Sequence, residues 1–79
     1  MGFERGDLVV TKPSYTYPEG YPVYKVPAGP EHRKAESAGR VLPGTIGFVT
    51  KVDIVYADVL FFNGIYCAIL MHNLKKVER

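Results

Sequence analysis

The chain has little of what most specialised proteins are built from. It carries a single cysteine, Cys67, in 79 residues, which excludes an internal disulfide framework and a zinc site made mainly of thiolates. That usage fits a reducing compartment, so the expected location is the cytoplasm or a virion assembled there. No apolar run approaches the ~20 residues that cross a bilayer, and no charged-then-apolar leader opens the sequence. The expectation is no membrane contact. The net charge is only +2, too small to demand nucleic acid or an acidic surface as a partner. Catalytic spacing is missing as well. His32 and His72 stand in no ligand pattern with each other or with a carboxylate. Cys67 and His72 fall on one strand and the turn after it, a poor arrangement for a nucleophile and its base. No glycine-rich loop precedes a helix-like pattern. The sequence therefore predicts no enzyme, no catalytic residue, no cofactor and no metal, with Cys67 buried and inert.

What is present is β-structure. Seventy-nine residues allow one domain, 1–79, burying roughly 60% of its unfolded surface. Gly6-Asp7 turns the chain into a first strand at residues 6–12, and Pro13 ends it. From Gly44 to Val77 the sequence reads as a meander, with strands at 45–52, 54–62 and 65–71. Asn63-Gly64 marks the hairpin, expected as a type I′ turn with positive φ at Gly64. His72-Asn73-Leu74 suggests one 3₁₀ turn before a last short strand at 75–77. Gly47, in a strand interior, predicts a bend or a close backbone approach.

Residues 13–43 differ sharply. They hold all six prolines and four of the six tyrosines, which forbids a long helix or a central strand. Thirty residues are too many to stay structureless in a compact domain, so an ordered excursion is expected. Tyr21 to Val26 could pair as a short edge strand, and Pro30 to Ala38 could form a helical turn stopped by Gly39. Glu31 to Glu36 would be the exposed, mobile tip.

Several motifs resemble known small barrels. Gly6-Asp7-Leu8-Val9 resembles the opening of SH3-like barrels, and Gly44-Thr45-Ile46-Gly47-Phe48-Val49 the glycine-centred strand of their KOW-type members. Val59-Leu60-Phe61-Phe62-Asn63-Gly64 is similar to their hairpin, and Leu74-Lys75-Lys76-Val77 to their ending. The resemblance implies an all-β, SH3-like five-stranded small barrel with a long Tyr/Pro-rich loop between strands one and two. Such barrels are often encoded by tailed bacteriophages, which implies a structural or accessory protein of that type. The chain lacks the Ala-Leu-Tyr-Asp-Tyr-type strand and the tryptophan with which SH3 domains hold proline-rich peptides. The fold itself hosts many unrelated jobs.

Strand parity supplies the functional expectation. With Val55, Ala57, Val59 and Phe61 inward, Ile54, Tyr56, Asp58, Leu60 and Phe62 must point outward. The fourth strand of this scheme divides into Tyr66, Ala68 and Leu70 on one face and Ile65, Cys67, Ile69 and Met71 on the other. More apolar surface results than one small barrel can bury. Either the Tyr/Pro loop folds over the outer face, or a bulge switches parity, or another molecule covers the surface. The reading is a non-enzymatic protein–protein assembly module, self-associating into a homo-oligomer or docking on a protein partner. Its interface would use Tyr56, Leu60, Phe62 and Ile69, with Tyr17 and Tyr21 from the Tyr/Pro loop. The alternative is a KOW-like nucleic-acid-binding module contacting phosphates through Arg40, Lys51, Lys75 and Lys76.

Overall fold

The computed structural model describes residues 2–26 and 36–77. They form strands β1 Leu8–Thr11, β2 Tyr21–Tyr24, β3 Ser37–Val41, β4 Ile46–Val52, β5 Tyr56–Phe61, β6 Tyr66–Leu70 and β7 Leu74–Lys76. A 3₁₀ turn at Met71–Asn73 leads into β7. All strands pair antiparallel in one curled sheet, a half-barrel with the order β3-β2-β6-β5-β4-β1-β7. The all-β expectation and the meander hold, with strand ends displaced by one or two residues.

The five-strand count does not hold, because the Tyr/Pro stretch adds a hairpin to the sheet. Tyr21–Tyr24 is a strand, but β3 takes the edge position outside it. Pro22 survives inside this sheet because β2 meets β6 at Tyr24↔Ala68, beyond the proline, so its missing donor costs no bond there. The expected helical turn from Pro30 lies outside the described residues up to 35. Its end is strand instead, since Ala38 and Gly39 belong to β3. Gly39 takes φ 99° opposite Val23, next to a register shift between Val23 and Tyr24. The expected tip also falls outside the described residues, apart from Glu36, which pairs with Lys25 at 3.1 Å.

The hairpin turn differs from the sequence reading. The Gly64 amide donates to the Phe61 carbonyl at 2.9 Å, and the Phe61 amide donates to the Ile65 carbonyl at 2.8 Å. Gly64 has φ 94°, whereas Asn63 does not enter the positive region. This is a three-residue loop closed by a left-handed glycine, not a two-residue I′ turn. The Asn63 carboxamide oxygen accepts the Ile65 amide at 3.0 Å, which fixes the exit from the turn.

The core occupies the concave inner face. Val9, Val23, Val41, Val49, Val59, Phe61, Cys67, Ile69 and Leu74 are buried there with Tyr21 and Ala57. Register explains the set, since residues paired across strands share a face: Val49↔Val59, Val59↔Cys67 and Ala57↔Ile69. β-Branched residues dominate, as suits a pleated surface packed on one side.

One buried hydroxyl closes the end of this core. Thr11 is almost fully buried; its hydroxyl donates to the Leu42 carbonyl at 2.7 Å and accepts the Thr45 amide at 3.0 Å. The segment after β3 is thereby tied to β1. Thr11→Val keeps the shape and leaves those two backbone groups with one partner fewer each. A loss of about 1–3 kcal/mol in urea unfolding is expected, and an unchanged midpoint would show that the tie carries no stability.

Candidate functional site

Besides single exposed side chains between the strands, such as Tyr15, Leu42 and Ile54, a contiguous apolar surface remains on the convex outer face. Leu60 lies opposite Phe48 on β4 and opposite Tyr66 on β6, and Leu8 on β1 lies opposite Phe48. One row of large side chains thus crosses four adjacent strands. Phe62, in the turn after β5, sets its ring edge-on to Phe48 with centroids 5.2 Å apart. Its amide donates to the Ile46 carbonyl at 2.8 Å, which holds the turn beside β4. Phe48, Leu60 and Tyr66 are 44%, 45% and 47% exposed, and Phe62 is 62% exposed. With roughly 200 Å² on each aromatic side chain, the three half-exposed rings leave about 300 Å² of ring surface in solvent. Leu60 and Ile46 extend it. Tyr66 is steadied by Thr50, whose hydroxyl lies 3.1 Å from the phenol oxygen.

Of the six residues expected at an interface, Leu60 and Phe62 lie in this patch and Tyr56 lies on the same face, half-buried against Tyr24. Two others do not belong there. Ile69 is fully buried, because its partner Ala57 faces the core and cross-strand pairs share a face. Tyr21 is core too, with its hydroxyl donating to the Lys12 carbonyl at 2.6 Å. Tyr17 is exposed on the long loop, its ring 5.6 Å from that of Tyr21. Together they line a separate cleft of about 240 Å³ with Lys12 and His72. The strand parity around Val59 and Phe61 was legible, but Phe48 and Ile46 were missed. The signal was available: Gly47 and Val49 face inward, so Ile46 and Phe48 between and beside them must face outward.

Among the described residues, the tyrosine-rich stretch covers only one end of this face. Tyr24 lies opposite Ala68, which is fully buried, and its ring meets Tyr56 edge-on at 6.0 Å between centroids. Phe48, Leu60, Phe62 and Tyr66 lie beyond that cover. Val55, expected inside, precedes β5 and is exposed.

At the boundary between covered and bare surface stands Asp58. Register puts it on the outer face, opposite Lys51 on β4 and Ala68 on β6, yet it is only 7% exposed. Burial pushes its carboxyl above the ordinary range; Lys51 works against that shift and Asp53 adds to it. Its ionised form therefore weakens folding. The stability that protonated Asp58 allows is present at low pH and lost as pH rises through the folded value. On the inner face behind it, burial and then the charge of Asp58 push the Cys67 thiol up to about 12. A thiol so placed is not a nucleophile at neutral pH.

Among the described residues the basic side chains do not gather. Lys76 pairs with Asp7 at 3.5 Å and lies 6.0 Å from the Phe3 ring centre. Arg40, on β3 at the opposite end of the strand order, donates to the Gly20 carbonyl at 3.2 Å. Lys51 stands across from Asp58. Lys75 is exposed on β7, beside a shallow groove with Val10, Lys76 and Val77. Among the described residues no cluster of three His, Cys, Asp or Glu side chains could hold a metal ion. No helix among them is long and apolar enough to cross a membrane. Comparison with known proteins finds no matching family model, no matching curated protein and no matching solved structure.

Proposed function

We propose that this chain is a non-enzymatic assembly module that associates with a second copy of itself through the bare part of its outer face. It would build on a five-strand SH3-like core, carrying the β2–β3 hairpin as an insertion, of the kind phage structural and accessory proteins use. The row Leu8–Phe48–Leu60–Tyr66, crowned by Phe62, carries the reading. Its area fits the purpose. The largest apolar patch on a typical monomer is about 300–600 Å², and is often functional. A standard interface takes about 800 Å² from each partner, with an apolar centre inside a polar rim. The patch supplies such a centre, and Lys51, Lys75 and Asn63 stand around it as rim. Covering two copies of the ring surface at about 25 cal/mol per Å² yields about 15 kcal/mol, against roughly 4–15 kcal/mol for lost freedom. The balance is favourable over most of that range, and the mid-range cost leaves association in the micromolar region. A phosphate-binding role receives no comparable support, because Lys51 and Lys76 face carboxylates and Arg40 is engaged by a carbonyl.

Sedimentation equilibrium at tens of micromolar checks this. The native chain should sediment as a dimer, and Phe62→Asp should be a folded monomer, weakened on the order of a hundredfold by a desolvated, unpaired carboxylate. A native monomer across that concentration range, or a dimer indifferent to Phe62→Asp, would rule the reading out.

A further inference from the structure

The outer face contains one group that a hydrophobic interface should not tolerate, and its position gives it a role. Asp58 is the boundary residue: two places before Leu60 on β5, opposite Ala68, and diagonal to Tyr66, which lies opposite Leu60. Two residues apart on a strand means the same face, so a body covering Leu60 and Tyr66 sits directly beside Asp58, which keeps only 7% of its surface exposed. We propose that association through this face is coupled to proton uptake by Asp58, so that acid strengthens the dimer and alkali loosens it. The proposal rests on the self-association reading above.

The groups around Asp58 set the sign. Lys51 faces it from β4, and Asp53 lies in the turn between β4 and β5. From the other side, among the described residues, come hydroxyls and carbon: Ala68 opposite on β6, Tyr66 on the same strand, and the Tyr24–Tyr56 ring pair beyond. Cys67 lies behind, on the inner face, with its thiol protonated. One cation therefore opposes the burial of the carboxylate, and a second carboxylate assists protonation. Burial has already raised the carboxyl pKa in the single chain. A second apolar surface removes more water from the charged form and adds no cation from the centre of the patch. The associated state then holds more protons than the free chains. Association must strengthen as pH falls through the Asp58 titration, and weaken as pH rises through it. Lys51 keeps the ionised dimer from being forbidden outright. The arrangement is graded and not all-or-none.

The test measures the dimer dissociation constant by sedimentation between pH 4.5 and 8, with circular dichroism confirming the fold at each pH. The native chain should bind itself on the order of a hundredfold more tightly at the acid end, since a one-unit shift is about tenfold for each of the two Asp58 carboxyls in the dimer. Asp58→Asn, a near-isostere that stays neutral, should hold the acid affinity at every pH. Lys51→Ala, which removes the cation facing the carboxylate, should weaken the dimer more at neutral than at acid pH and so steepen the dependence. A native dimer with no pH dependence, or one whose dependence persists in Asp58→Asn, overturns the coupling and leaves self-association standing. A native monomer at every pH overturns both.

Discussion

Replacing Gly47 by alanine should cost this domain about 3 kcal/mol or more, the upper range for forcing atoms into a packed interior. Gly47 sits in β4 with Val9 on one side and Phe61 on the other, on the inward face of the sheet. A Cβ there would lie 2.8 Å from the Leu60 carbonyl oxygen, 2.8 Å from the Phe61 Cα and 2.8 Å from a Val59 methyl. Two of those three atoms are backbone, so no side-chain rotation relieves the clash. β5 itself must move away from β4, and β5 carries the centre of the core and of the outer row. For a domain this small, 3 kcal/mol corresponds to roughly 12–24 °C in the melting midpoint. Gly64 is the informative control, since it has φ 94° but nothing within 4 Å of its missing Cβ. Gly64→Ala pays only for the left-handed backbone, about 1–2 kcal/mol. Thermal unfolding of the two variants should therefore rank Gly47→Ala well below Gly64→Ala. If the two melt together, or Gly47→Ala stays within a few degrees of the native chain, the close approach is not a determinant of the fold.

Gly47 also shows what could be read from sequence and what could not. A glycine between Ile46 and Phe48 inside a strand pattern is a local signal, and it pointed to the close approach that the fold uses. The meander was equally local, since its runs and its turn lie next to one another in the chain. Face assignment along β5 followed from period two alone and placed Leu60 and Phe62 outside. It failed at Ile69, because choosing between the two faces of β6 needs the register with β5. That register depends on the loop: three residues at Phe62–Gly64, rather than two, set which partner each β6 residue meets. The Tyr/Pro stretch was the least legible part. Its prolines suggested interrupted structure, while β3 is held by pairing with β2 across a segment of the chain that local patterns cannot bridge. Of the candidate face, the β5 half was visible. The β4 half, and the burial of Asp58 between Lys51 and Ala68, required the sheet.

The adjacent phenylalanines of the hairpin give the sharpest separation of folding from function. Phe61 is fully buried in the core and Phe62 is mostly exposed, though they are chain neighbours of identical chemistry. Phe61→Ala removes a ring from the packed interior and should cost about 3–5 kcal/mol, much of the stability that a domain of this size can hold. Phe62→Ala removes a ring whose main contact is the edge of Phe48, and should cost about 1 kcal/mol or less in the monomer. Association should respond the other way. Phe62→Ala, folded and well behaved, should lose most of its dimer, while Phe61→Ala retains dimer in proportion to its folded fraction. Urea unfolding below the dimer concentration and sedimentation above it measure the two effects separately. The comparison tests the register as well as the interface, because a slip of one residue in β5 would exchange the two positions and reverse both results. If Phe62→Ala proves the more destabilising variant in the monomer, the inner and outer faces have been assigned the wrong way round.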